Sequence, residues 1–230
     1  MTNEQDENQL GSQVWNKMLT EEKISDNKEQ NAALQRIGRN IAAVSGKPEY
    51  NWEFKVFINP AANAFCLPGG KVGVTDSLFA YTANDAELAT VVGHEVGHAL
   101  ARHGGERMTQ GMIQEVGAQA ISYSTEEAAF VTAFGLLTNV GAILPFSREH
   151  EYEADHIGLM LMAKAGYYPP AAISFWEKFG KGGNDQAILE LLSTHPMSKK
   201  RLEEMKTLQT KAMEYYEKAP VKHKYGESLK

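Results

Sequence analysis

Two pairs of polar residues at four-residue spacing, His94 with His98 and Glu151 with Asp155, lie in stretches whose flanks read as helix. Positions i and i+4 differ by about 40° around a helix axis, so each pair shares one face. Asn84 followed by Glu87 forms a capping box, opening a helix that runs through His94 and His98 toward Gly104-Gly105. Ser147 caps a second helix, 148–165, which Gly166 and then Pro169-Pro170 bring to an end. A metal site using both faces needs these two helices side by side, and that requirement limits the fold more than any other feature.

The first pair belongs to "HEVGH", in which two imidazoles on one face can hold a single ion. Glu95 flanks them and can reach a metal-bound water without ligating the metal. A catalytic zinc takes three protein ligands and leaves one position open. His103 is nearest in sequence, but on a continuing helix it sits about 180° from His94, on the opposite face. It also misses the spacing of "HExxHxxGxxH", because Ala101 and Gly104 stand where that pattern has glycine and histidine. It reads as a surface histidine or one near the helix C-terminus. Glu151 is the better third ligand. Asp155, one turn further on, is placed to accept the other ring N–H of a metal-bound histidine. Glu149 and Glu153 each lie about 200° from Glu151 and face elsewhere.

The rest of the chain predicts an α+β fold, predominantly helical, with a small sheet or hairpin beside the helix that carries "HEVGH". Residues 1–45 read as two helices, with Leu10, Val14, Met18 and Leu19, then Leu34, Ile37, Ile41 and Val44, at helical spacing. Trp52, Phe54, Val56 and Ile58 alternate as a strand with one buried face. "AFCLPGGKVGV", 64–74, is a hairpin whose Pro68-Gly69 suits a type II turn. Further helices are expected near 106–122 and at 170–180, 185–192 and 197–218. The whole of 1–230 reads as one domain, with a catalytic core at 46–218 and a flexible tail at 219–230. The run 128–146 has 19 residues without a charge, yet its Thr, Asn, Gly and Pro favour a buried or site-flanking helix over a membrane span. Contact with a membrane surface remains open to it.

A net charge of −6 gives no basic excess for nucleic acid. Cys66 is the sole cysteine, so no intrachain disulfide forms and redox chemistry does not reveal the compartment. "MTNEQDENQL" has no signal-peptide character.

"VVGHEVGHALARH", "SREHEYEADHIG" and "STHPMSKKRLEEM", with the hairpin "NAFCLPGGKVGVTDSLF", resemble the Ste-type CAAX prenyl endopeptidase and HtpX family of zinc metallopeptidases, metallopeptidase family forty-eight. The resemblance covers roughly residues 10–215 and is nearest to the soluble bacterial envelope branch, the BepA- and LoiP-like proteases, without the TPR repeats that follow in BepA-type proteins. It implies a zincin-like (gluzincin) domain and one Zn²⁺ per chain, held by His94, His98 and Glu151. It also implies Glu95 as general base and Asp155 behind the ligands. His195 of "THPMSKKR" would stabilise the oxyanion or cap the zinc in a resting state, and Arg201 belongs to the same motif. From the residues alone, His195 is a loop histidine near a helix start.

The implied activity is endopeptidase cleavage of unfolded or misassembled polypeptides in bacterial envelope quality control. The implied location is bacterial periplasm or cell envelope, lipid-anchored with its leader outside this sequence, ahead of the cytoplasm. The strand Ala64, Phe65, Cys66 and Leu67 is either an ordinary packed hairpin or an edge to which extended substrate adds, and the resemblance favours the second. Cys66 has no base partner and reads as packing. The other reading of the chain is a latent or non-catalytic zinc-binding chaperone or adaptor, its metal blocked by His195.

Overall fold

Short polar side chains set the helix starts. In the computed structural model, which describes residues 3–106, 146–181 and 185–229, helix α1 spans Glu4–Glu21 and α2 spans Lys28–Val44. Asn3 and Asn27 cap them by accepting from the main-chain N–H groups of Asp6 and Gln30. Their apolar stripes face inward: Val14 and Trp15 of α1 are buried, as are Leu34, Ile37 and Ile41 of α2.

Three strands follow, β1 Glu53–Phe57, β2 Ala64–Leu67 and β3 Lys71–Thr75, in the spatial order β1-β3-β2. β1 runs parallel to β3 and β2 antiparallel to it. Phe54 and Val56 are buried as the alternation predicts, whereas Ile58 lies past the strand end and is exposed. The β2–β3 turn is the expected one: Gly69 has φ 81° and the Gly70 N–H donates to Leu67 O at 3.2 Å. Among the described residues β2 is an edge strand.

A short 3₁₀ turn, Asp76–Ala80, leads into α3, Asp85–Leu100. The remaining helices among the described residues are α4 Arg148–Lys164, α5 Pro170–Lys181, α6 Gln186–Thr194 and α7 Lys199–Lys218. α3 is the central element and packs against α2, α4, α5 and β2. It meets α4 backbone to backbone through small residues. A Cβ on Gly158 would stand 2.7 Å from His94 N, and one on Gly97 would stand 2.9 Å from Ala154 O. Neither distance admits a side chain, so these glycines permit the close crossing that sets Glu151 and Asp155 opposite His94 and His98. α4 ends at Gly166, φ 85°, with Tyr167 N–H donating to Met162 O and Gly166 N–H to Ala163 O.

Residues 219–229, expected as a loose tail, are instead tied to the body of the protein. Asp85 N–H donates to Glu227 O, Ala86 N–H to Tyr225 O and His223 N–H to Gly166 O, at 2.8–3.0 Å. These bonds use main-chain groups, which leave no periodic signal in the side chains. The helix expected near 106–122 and the run 128–146 lie, apart from their ends, outside the described residues. Among the described residues no helix is long and apolar enough to cross a membrane.

Candidate active site

The Asn84 side chain accepts from Glu87 N–H at 3.1 Å, and Glu87 reaches back to Ala83 N–H at 2.7 Å, so α3 begins where its sequence directs. Every residue of α3 from Asp85 to Ala99 is buried, which takes His94, Glu95 and His98 out of water. Ser147 starts α4 by accepting from His150 N–H at 3.1 Å, and Glu151 and Asp155 project from its buried face. His195 is the residue that ends α6, and Arg201 stands in the first turn of α7.

Four of these side chains converge. His94 Nε2 lies 3.1 Å from His98 Nε2 and 3.2 Å from His195 Nδ1. Glu151 Oε1 lies 3.3 Å from His98 Nε2 and 3.0 Å from His195 Nδ1. All four donor atoms fall within 4.8 Å of one another, and all four residues are buried. Three ring nitrogens and a carboxylate oxygen form a donor set that suits zinc. A tetrahedral zinc with bonds of about 2.0–2.1 Å has ligand–ligand edges of about 3.3–3.4 Å, close to the spacings found here. The residues fit the metal.

The imidazoles are oriented from behind. His94 Nδ1 lies 3.0 Å from Asp155 Oδ1, and Arg201 grips both Asp155 oxygens at 2.7 Å through Nε and Nη2. Arg201 Nη1 also pairs with Glu151 and donates to Pro196 O at 3.1 Å. Its guanidinium lies over the Trp176 ring, 5.3 Å from the centroid, and Trp176 meets His94 edge-on. Phe146 stacks on His98 with centroids 3.9 Å apart. Sequence reasoning had no signal for these two aromatic walls, because each lies far along the chain from the histidine it contacts.

His103 is found where the sequence reading did not place it. It is 1% exposed, not a surface residue, and its Nδ1 lies 2.9 Å from His98 Nδ1. The extrapolation to the opposite face assumed a continuing helix, but α3 stops at Leu100 and Arg102 turns left-handed at φ 60°. The chain therefore doubles back. If His98 Nε2 keeps its lone pair for a metal, its Nδ1–H donates to His103 Nδ1, and His103 Nε2–H points to Glu153 Oε2 at 3.2 Å. Glu153 thus faces away from the centre, as expected, but closes the line of contacts behind His98.

Burial and charge shape the titration of the group. Burial pushes the Glu95 carboxyl up, in the direction that suits a residue that both takes and gives a proton. Burial also lowers His98, keeping its ring neutral. For Glu151, burial opposes the charge, but hydrogen bonds from His195 and His98 outweigh it and hold the carboxyl below the usual range. Asp155 follows the same pattern, with burial overcome by Arg201 and His94. Glu95 Oε1 is buried and makes no hydrogen bond among the described residues, with His195 Nε2 at 3.5 Å.

Residues 28–209 match the pattern described as Peptidase family M48. The chain belongs to Peptidase family M48. Metallopeptidases of family M48 use zinc, in agreement with the donor set at His94, His98, Glu151 and His195. The chain is 40% identical over 195 residues to the mitochondrial metalloendopeptidase OMA1 of Arabidopsis thaliana, covering 85% of this chain and 39% of that protein. It is 40% identical to OMA1 of Schizosaccharomyces pombe, covering 74% of this chain and 50% of the relative. The beta-barrel assembly-enhancing protease of Escherichia coli (strain K12) is 27% identical, over 74% of this chain and 37% of its own length. The chain thus spans half or less of the length of these relatives. The ranking corrects the sequence reading, which leaned to the bacterial envelope branch of family M48. Three mitochondrial relatives at 39–40% identity stand above the beta-barrel assembly-enhancing proteases at 27–28%, with the mitochondrial OMA1 of Bos taurus also at 27%, and the placement in a bacterial periplasm or cell envelope is overturned with it.

Proposed function

We propose that this chain is a zinc-dependent endopeptidase that cleaves extended segments of unfolded polypeptides, with residues 1–230 acting as one metallopeptidase domain. The observation that carries the reading is the convergence of four buried donors beside Glu95. His94, His98 and Glu151 would hold the ion. When bound, zinc supplies Lewis acidity and brings a water toward a pKa of roughly 7. Glu95 then accepts a proton from water as the peptide carbonyl is attacked and returns it to the leaving amine. Asp155 and Arg201 keep the ligands oriented.

The substrate strand is β2. By the alternation of an antiparallel ladder, the main-chain groups of Ala64 and Cys66 face away from β3, where the Ala64 N–H donates to Asn63 Oδ1 at 2.8 Å, while those of Phe65 and Leu67 face β3. An extended peptide added there binds through its backbone, beside α3, with little demand on sequence. Phe65 lies over Gly73 on β3, and Leu67 is buried, so both stiffen the strand. Burial pushes the Cys66 thiol up, away from nucleophilic thiolate, and it serves as packing.

His195 supports a second reading within the first. Its Nδ1 stands among the four donors and would fill the fourth position of a bound zinc, which supports a resting, capped site. Substrate entry requires His195 to swing aside. Replacing His195 with Ala is expected to raise the cleavage of casein by roughly tenfold, for a site open about one-tenth of the time. Zinc content should be unchanged. A rate equal to or below wild type contradicts the blocking role, and no cleavage by either protein favours the non-catalytic adaptor.

A further inference from the structure

Helix α1 lies outside the residues matched to family M48, yet it reaches the end of the helix that carries the two histidines. The Glu7 side chain is 3% exposed and takes both arms of Arg102, Nε at 3.0 Å and Nη2 at 2.7 Å. Arg102 is one of two non-glycine residues with positive φ among the described residues. Its left-handed backbone is unfavourable for any side chain beyond glycine and, less so, Asn or Asp. That turn follows the α3 C-cap and delivers His103 to the back of His98.

Two further observations tie the contact to α1. A Cβ on Gly105 would stand 2.2 Å from Glu7 Oε1, so the glycine leaves the space into which the carboxylate fits. α1 is also fastened independently of the metal centre: Trp15 Nε1–H donates to Glu53 at 2.9 Å, Lys47 pairs with Glu4 at 2.6 Å, and Gly11 lies against the Pro68 carbonyl. Glu7 is therefore a fixed point from which the turn can be held.

We propose that Glu7 and Arg102 are positioning residues for the metal site, clamping the left-handed turn that seats His103 behind His98. The inference rests on the zinc site proposed above. The bidentate ion pair offsets the unfavourable backbone of Arg102; glycine at 102 would make the same turn with no clamp. His103 in turn fixes the tautomer and tilt of the His98 ring.

The test measures zinc affinity by chelator competition on the full chain, with the visible absorption of the Co²⁺-loaded protein as a second readout. Glu7→Gln is expected to weaken zinc binding by about tenfold or more and to shift the cobalt bands. Glu7→Gln combined with Arg102→Gly is expected to recover most of both. Unchanged affinity in Glu7→Gln, or a loss that Arg102→Gly does not rescue, overturns the proposal; the second result would make α1 a general support only. Should Glu7→Gln fail to fold, His103→Gln decides, with the same tenfold loss expected and an unchanged affinity contradicting the clamp. A wild-type chain that takes up no zinc refutes the metal site itself. Zinc-loaded wild type with an indifferent Glu7→Gln refutes only the clamp.

Discussion

Glu95→Gln is expected to lower the cleavage of casein by about 10²–10⁴-fold while one zinc per chain stays bound. The substitution preserves shape and removes only the ability to take a proton. Glu95 is 3% exposed and, among the described residues, its Oε1 makes no hydrogen bond, with His195 Nε2 3.5 Å away. Glu95 lies beside the four convergent donors without being one of them, which is why metal content should not follow activity. Cleavage rates and metal analysis on the same preparations check this, and equal turnover by wild type and Glu95→Gln would sink the assignment.

The largest stability effect is expected at Arg201. It is 2% exposed and faces two buried carboxylates, Asp155 through two bonds of 2.7 Å and Glu151 through Nη1. Arg201→Met fills much of the volume but leaves those charges without their cation, a change that costs about 3–5 kcal/mol. Arg201→Lys keeps the charge and loses the planar fork, so it should fall between the two. Urea unfolding of the zinc-loaded proteins measures the difference. A loss below about 1 kcal/mol for Arg201→Met would place the carboxylate charges under another group's control.

Features governed by local chemistry were readable in advance. The caps at Asn84 and Ser147, the Pro68-Gly69 turn and the four-residue spacing of both polar pairs each depend on a few neighbouring residues. The pairing of Glu151 with His94 and His98 followed from ligand number and helix periodicity, and the close crossing at Gly97 and Gly158 supplies the geometry. His103 was misplaced because Arg102, a residue with no preference for left-handed backbone, makes the turn, and its clamp comes from Glu7, 95 residues away. The C-terminal segment was misread because it is held by main-chain bonds to Ala83, Asp85 and Ala86. His195 and Arg201 carry no local pattern that separates them from ordinary loop and helix residues. Their place beside His94, His98 and Glu151 came only with the family resemblance.

Zinc stoichiometry of wild type against Glu151→Ala tests the central claim most directly. Glu151 is 1% exposed, and its Oε1 lies within 3.3 Å of both His98 and His195. The wild-type protein is predicted to retain one zinc per chain after dialysis against a weak chelator, and Glu151→Ala to retain almost none. Full zinc occupancy in Glu151→Ala, or no zinc in wild type, would contradict a catalytic centre built from α3 and α4.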